Sequence, residues 1–510
     1  MTSTPLTRRG LLFVLSSITC APISGSALGQ IVRWSNPAGG DFGVGANWDM
    51  GHVPGPAEAA VFDLSGAYTV SLNAAATVGR LSVTEGSPTL DMGGGPFGVD
   101  PFSGHVEIGS EGSKASLRLV NGTLGLGNLT NLGGAPGSAG TLVVEAGSSV
   151  NIGNGQFNVG GSGVGRLIIR GQVTDQGVDK DKSLFPGSLI RIEAGGGLGL
   201  RHFHNMGGRL EVDGGSMGAA SWDSPGGGEI VASGGATLFA QDSFSCAGTL
   251  TLTGGATLTA LTGPNTLGGS ITIDGTGSGV TGGDFSGVSP SMVIGNGGAL
   301  SAFNLDLTNP SIVVGAGGSM TVQSDFFLRG GVLHVSAASD LSLAHLVMSN
   351  SPTIEVELDG ADLPTSPVIV CGYGPFFPVL AGSVRPIIRH PNNLHAGDQV
   401  ELVQQHSFVP LDSTFASLEA QPLGGGRQLR LAYTGQSVFL QVVAGGPGCW
   451  TMDFNGDGDA GTDADIEDFF ACVAGNCCPA CAPADFDGDG QTATDADIVA
   501  FFTALAGGGC

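Results

Sequence analysis

Between residues 86 and 352 the chain alternates short apolar triplets with glycine. Leu210-Glu211-Val212-Asp213-Gly214-Gly215 leads to Ile230 and then to Gly234-Gly235-Ala236-Thr237-Leu238. Leu250-Thr251-Leu252-Thr253-Gly254-Gly255-Ala256-Thr257-Leu258 follows 20 residues later. Ile271-Thr272-Ile273-Asp274-Gly275, Val293-Ile294-Gly295 and Val313-Val314-Gly315 continue at steps of 20 or 21. Upstream, Leu117-Arg118-Leu119, Leu142-Val143-Val144 and Leu167-Ile168-Ile169 step by 25. Such alternation marks strands with one face turned inward. A repeat of this length is too short for a strand–helix unit and reads as one coil of a parallel β-solenoid, or β-helix. Glycine supplies the positive φ angles of the corners. About ten to twelve coils stacked about 4.8 Å apart predict a rod on the order of 50 Å long. An array of β-sandwiches is the competing fold.

The pattern differs on either side. Beyond residue 353, Ile354-Glu355-Val356-Glu357-Leu358, Val400-Glu401-Leu402-Val403, Leu429-Arg430-Leu431 and Val438-Phe439-Leu440-Gln441-Val442 are longer alternating strands, with turns at Gly397-Asp398 and Gly424-Gly425-Gly426. This stretch, 353–444, is expected to be a C-terminal β cap. Residues 30–85, with Trp34, Trp48, Ala60-Val61-Phe62 and Tyr68-Thr69-Val70-Ser71-Leu72, are expected to be an N-terminal one. The two Trp suit sugar stacking, but plugging the open end of a β-stack is the preferred reading. Both flanks resemble segments of secreted autotransporter-associated β-strand repeat proteins.

The last 62 residues follow a different rule, because they are written twice. Asp453-Phe454-Asn455-Gly456-Asp457-Gly458 returns 32 positions later as Asp485-Phe486-Asp487-Gly488-Asp489-Gly490, and Thr462-Asp463-Ala464-Asp465-Ile466 as Thr494-Asp495-Ala496-Asp497-Ile498. Calcium takes about six to eight oxygen ligands, and carboxylates at alternate loop positions wrap around it where glycine permits a sharp turn at the sixth. Asp453, Asn455 and Asp457 stand at positions one, three and five before Gly458; Asp485, Asp487 and Asp489 do so before Gly490. Asp459 and Gln491 follow at position seven. Position twelve is Ala464 or Ala496, flanked by Asp463 and Asp465 or by Asp495 and Asp497. One extra loop residue brings Asp465 and Asp497 to the closing position. Two calcium ions are therefore expected, against the alternative of acidic turns without metal.

Each loop leads into an apolar segment, Ile466, Phe469, Phe470 and Val473, then Ile498, Phe501, Phe502 and Leu505, spaced to share one helical face. Packing of these two faces against each other is the preferred role. The loop–helix pairs, EF-hand-like at the start of each loop, resemble dockerins, and the terminal Gly509-Cys510 resembles the GC-type variant. That resemblance covers about an eighth of the chain. It implies docking to a cohesin-like protein or a cell-surface component.

Charge and cysteine usage narrow the class further. The net charge is −26, from 18 basic and 44 acidic residues, and residues 451–510 contain twelve acids and no Lys or Arg. Nucleic-acid binding requires the opposite balance. Gly is 91 of 510 residues without a collagen period, and 41% hydrophobic content argues against disorder. Arg8-Arg9 before Leu11-Leu12-Phe13-Val14-Leu15, with Ala27-Leu28-Gly29 ahead of Gln30, reads as a secretory signal over 1–29. Thr7-Arg8-Arg9-Gly10-Leu11-Leu12 also looks like a twin-arginine signal, which a plain basic region explains equally well. No later stretch is long and apolar enough to span a membrane. A secreted or cell-surface location follows.

Eight cysteines remain after the signal, six of them at the C-terminus. Repeat symmetry suggests Cys449–Cys478 and Cys481–Cys510, leaving Cys472 with Cys477; zinc on Cys472, Cys477, Cys478 and Cys481 is the competing reading. Cys246 and Cys371 are either paired or free. The expected organisation is a signal at 1–29, a β cap at 30–85, repeats at 86–352, a second cap at 353–444, a linker at 445–448 and the calcium module at 449–510.

Candidate chemistry in the body is sparse. Asp175, Asp179, Lys180, Asp181 and Lys182, followed by Arg201, His202 and His204, form the best cluster, with the two His on one strand face. A solvated loop and an outward strand explain them equally simply, and no catalytic residue is assigned. Three classes of function stand at this point. The favoured one is a non-catalytic exported surface, matrix or adhesion protein. The others are a polysaccharide-degrading enzyme, a lyase or glycoside hydrolase, delivered by its tail, and a carbohydrate-binding scaffold component.

Overall fold

The computed structural model describes residues 29–177, 180–372, 378–406, 411, 413–421, 423 and 427–444, and within the C-terminal repeat residues 454, 455, 457, 459, 461–478, 484, 486 and 493–505. The chain is a parallel β-solenoid of about 14 turns with two C-terminal helices. Each turn contributes a strand to one face and one or two strands to the other faces, and the strands of successive turns pair in register.

One column shows how the repeat becomes a core. Leu117, Leu142, Leu167, Ile190, Leu210, Ile230, Leu250, Ile271, Met292, Ile312, Leu333, Ile354 and Val384 are direct partners from turn to turn. All are buried. Complete burial of such a side chain contributes roughly 1.5–3 kcal/mol, so a column of this length is a major share of the stability.

The change of step from 25 to 20 residues has a structural cause. In the longer early turns the second and third faces are separate strands, such as Thr123–Gly125 and Leu129–Leu132. In the shorter later turns a single strand bends across both faces, as in Gly197–Asn205, Ser216–Ser224 and Thr237–Cys246. The missing residues come from the corner that leads back to the first face, which spans 133–138 in an early turn and only 247–248 in a later one. The opposite corner is held by a tight turn in which Gly235 and Gly255 adopt φ of 75° and 82°, where a side chain would be strained.

The parallel ladders run through both expected cap boundaries. Ala67–Ser71 pairs with Ser87–Asp91, and Val332–Ser336 pairs with Thr353–Asp359. The flanking segments are thus built largely as further coils, which extend the stack beyond 86–352 to about 14 turns in all. True closure occurs only at the ends. At the N-terminus Trp34 and Trp48 meet edge to face at 5.1 Å, with Phe42 and Phe62 beside them. Both indoles are buried, and their Nε1 groups donate to the carbonyls of Asn36 and Phe42 at 2.7 and 2.9 Å. Neither offers a ring face to a sugar. At the other end Gln399–Gln405 pairs in parallel with Ile369–Cys371 but antiparallel with Ser437–Ala444, which pairs antiparallel with Arg427–Tyr433.

The helices α1 (Asp463–Val473) and α2 (Asp495–Leu505) share a small core of their own. Phe469 and Phe501 stack in parallel at 4.0 Å, with Phe454 and Phe486 against their edges. Phe470 and Phe502, expected on the same buried face, instead stand about two-fifths exposed. Adjacent residues on a helix point about 100° apart, so only one phenylalanine of each pair can enter so thin a core. Among the described residues no helix is long and apolar enough to cross a membrane.

The interior of the later turns carries an aromatic stack, Phe203–Trp222–Phe244, with centroids 5.4 and 5.7 Å apart. Replacing Phe244 by Ala should cost about 3–5 kcal/mol. Urea unfolding of the wild-type and variant chains measures it.

Candidate functional site

The acidic C-terminal loops and the helices they enter are the first candidate. Of the twelve expected oxygen donors, Asp453, Asp485, Asp487, Asp489 and Gln491 lie outside the described residues. In the first loop Asn455 Oδ1 accepts from the Asp457 amide at 3.1 Å, and Asp457 Oδ1 accepts from the Asp459 amide at 2.9 Å. These successive side-chain turns coil the loop tightly. Asn455 Nδ2 also donates to Asp457 Oδ2 at 3.0 Å.

The structure separates the two acids at the far end of each loop. Asp463 and Asp495 are exposed in the first turns of their helices, where the helix dipole favours negative charge. Asp465 and Asp497 are fully buried. Asp465 Oδ1 accepts from the amides of Phe454 and Asn455 at 2.7 and 3.3 Å, and Oδ2 from the amide and hydroxyl of Thr462, both at 2.8 Å. Asp497 Oδ2 likewise accepts from the amide and hydroxyl of Thr494 at 2.7 and 2.8 Å. Burial alone would raise the Asp465 pKa, but the hydrogen bonds from Thr462, Asn455 and Phe454 outweigh it and hold the carboxyl below the ordinary range. The result is a capping box that also ties the start of the loop to the helix. Among the described residues no three His, Cys, Asp or Glu converge as a metal centre.

Cys472 and Cys477 are joined as a disulfide, and Cys478 is disulfide-bonded as well. Cys449, Cys481 and Cys510 lie outside the described residues. Cys246 and Cys371 are free and buried, and burial pushes their thiols up to about 11 and about 12. Thiols so protected are poor nucleophiles.

The second candidate is the charged cluster of the body, which the fold splits in two. Asp175 and Lys182 turn inward and form an ion pair at 3.0 Å with both side chains buried. Lys182 Nζ also donates to the Lys180 carbonyl at 2.6 Å, while Asp175 accepts from the amides of Gly177 and Arg201. These two residues therefore serve the interior. His202 and His204 do share an outward face, on either side of buried Phe203. His202 Nδ1 lies 2.5 Å from Ser221 Oγ; His204 Nε2 lies 3.2 Å from Asp181 Oδ1, and its Nδ1 3.8 Å from Asp223 Oδ2. Asp179 lies outside the described residues. Ser221 and Asp223 carry no motif. Only the 19-residue step between paired turns, added to His202 and His204, points to them.

No protein-family model matches the chain, and no curated protein matches its sequence.

Removing one member of a buried ion pair leaves the other charge uncompensated. Lys182→Ala should therefore destabilise the solenoid by about 3–5 kcal/mol, while Lys182→Met combined with Asp175→Asn should recover most of that loss. Thermal melts of the three chains test it. Thr462→Ala and Thr494→Ala should each lower helix-module stability by about 1 kcal/mol, read from the helical circular dichroism signal on melting.

Proposed function

We propose that the chain is an exported, non-catalytic β-solenoid serving as a surface, matrix or adhesion protein, attached through a calcium-dependent, dockerin-like C-terminal module. The observation that carries the reading is the pair of buried carboxylates, Asp465 and Asp497, at equivalent places in two helices. They sit in a stretch of twelve acids without a single Lys or Arg. So concentrated a negative charge needs a cation, and calcium is the ion whose preferred donors are carboxylate and carbonyl oxygens. Asp453, Asn455, Asp457 and Asp459 would hold one ion, and Asp485, Asp487, Asp489 and Gln491 the other. Asp465 and Asp497 would close the loops from the helix side, with Asp463 and Asp495 adding charge at the rim.

The partner expected is a cohesin-like protein or a cell-surface component. Support comes from Phe470 and Phe502, whose exposed rings lie 5.9 Å apart, and from exposed Val499. Aromatic side chains left in solvent on so small a module suit burial by a partner. Export is supported by the signal-like sequence at 1–29 and by the six cysteines of the tail, of which Cys472 and Cys477 are paired. The second reading, a carbohydrate-active or carbohydrate-binding protein delivered by the tail, draws on His202 beside Ser221 and on His204 between Asp181 and Asp223.

Calorimetric titration of calcium into the oxidised full-length chain should register two sites. At a hundredfold excess over the dissociation constant the module should gain about 2.7 kcal/mol of stability. Asp457→Ala together with Asp489→Ala should abolish both the heat and the stabilisation. A calcium response that survived in that variant would refute the ligand assignment.

A further inference from the structure

A trough runs along the third face of the solenoid, parallel to its axis, far along the chain from the acidic tail. It crosses five successive strands, Thr237–Cys246, Asn265–Leu267, Gly279–Val288, Ala299–Thr308 and Ser319–Arg329. Four strand spacings of about 4.8 Å give it a length of roughly 19 Å. Its volume is about 480 Å³, within the range of small-ligand sites.

The stacking register builds it. Ser245, Thr266, Ser286 and Asp306 are direct partners on consecutive turns and form one side. The column beside them begins with Ala247 and Gly268 and grows to Val288, Thr308 and Arg329. The small pair leaves the hollow, and the larger residues bound it. Thr266 Oγ1 donates to Ser245 Oγ at 2.8 Å and Ser286 Oγ to the Asn265 carbonyl at 3.4 Å, so the three hydroxyls stand in a polar row held by the stack. At the far end Arg329 binds Asp306 through two hydrogen bonds of 2.8 and 3.0 Å, and its guanidinium lies 4.9 Å from the centre of the Phe327 ring.

We propose that this trough binds a single strand of neutral polysaccharide. The proposal concerns the solenoid body and does not depend on the tail. Hydroxyls and a paired carboxylate and guanidinium are groups that hydrogen-bond to sugar hydroxyls, and exposed Val288 gives the trough an apolar wall for a ring to pack on. The hydroxyls of Ser245, Thr266 and Ser286 recur once per turn, so a linear polymer lying along the axis meets a hydroxyl at three successive steps before it reaches Asp306. An extended peptide is disfavoured, because strand addition needs a free sheet edge and the backbone groups here are committed to the ladder. An anionic chain is disfavoured too. The single cation lining the trough among the described residues is already neutralised by Asp306, and the protein carries a net charge of −26.

Gly268 provides the test. A Cβ added there meets nothing nearer than 3.7 Å, and its backbone is outside the left-handed region, so the fold accepts a side chain that would fill the hollow. Affinity electrophoresis of the full-length protein through gels containing β-glucan, xylan, mannan or soluble starch should show saturable retardation by at least one of them. Polygalacturonate and alginate should retard it less. Gly268→Leu and the near-isosteric Thr266→Val should each weaken the retardation by about tenfold, as loss of one or two good contacts implies. His334→Ala, on another face, should leave it unchanged. Coincident melting curves would show that the variants fold. Absence of retardation by all four neutral glycans, preference for the anionic ones, or full retardation in both trough variants would each overturn the proposal.

Discussion

Everything in the body depends on the parallel hydrogen-bond ladder between successive turns and on its register. Side chains alternate between faces with a period of two, so a slip of one residue would expel a whole turn's apolar set into water. The unbroken aliphatic column from Leu117 to Val384 is therefore both the product of that register and the force that keeps it. Backbone pairing supplies directionality, and apolar burial supplies specificity.

The same ladder organises the surface. Outward residues one turn apart become neighbours, which turns isolated charges into rows. Arg170 bridges Glu145 and Glu193, and Arg385 bridges Glu355 and Glu419, each across adjacent turns. Exposed pairs of this kind are individually worth little, but they satisfy the charges of a chain that is otherwise strongly acidic. The interior pair Lys182–Asp175 is of another kind. It stands where a loop enters the stack, and its cost in desolvation is offset by three further contacts to the backbone. His204 and the hydroxyl row from Ser245 to Ser286 owe their surroundings to the ladder in the same way.

The C-terminal helices solve a different problem with a different device. Twenty-two helical residues and a handful of phenylalanines make a very small core. The buried carboxylates of Asp465 and Asp497 each accept bonds from their own helix cap, and Asp465 also ties the start of the first acidic loop to that core. A disulfide between Cys472 and Cys477 closes the end of α1. Small modules of this size ordinarily need such cross-links.

Periodicity determined the fold class. Apolar triplets at steps of 20 to 25 residues with glycine between them admit few structures besides a stacked β-coil, because each triplet can bury only one face. The two helices were legible from the spacing of Ile466, Phe469 and Val473 and of Ile498, Phe501 and Leu505, although the exposure of Phe470 and Phe502 was not. Tertiary structure alone decided which side chains share a site. It sent Lys182 and Asp175 inward while His202 and His204 stayed outside, and it buried Asp465 while leaving Asp463 in water. It also brought Ser221 to His202 and made the trough at Gly268. The reason is physical. Local pattern specifies which face of a strand or helix is apolar, but the identity of a neighbour across the ladder is set by the length of the intervening turn. That length registers only when the coils close and stack.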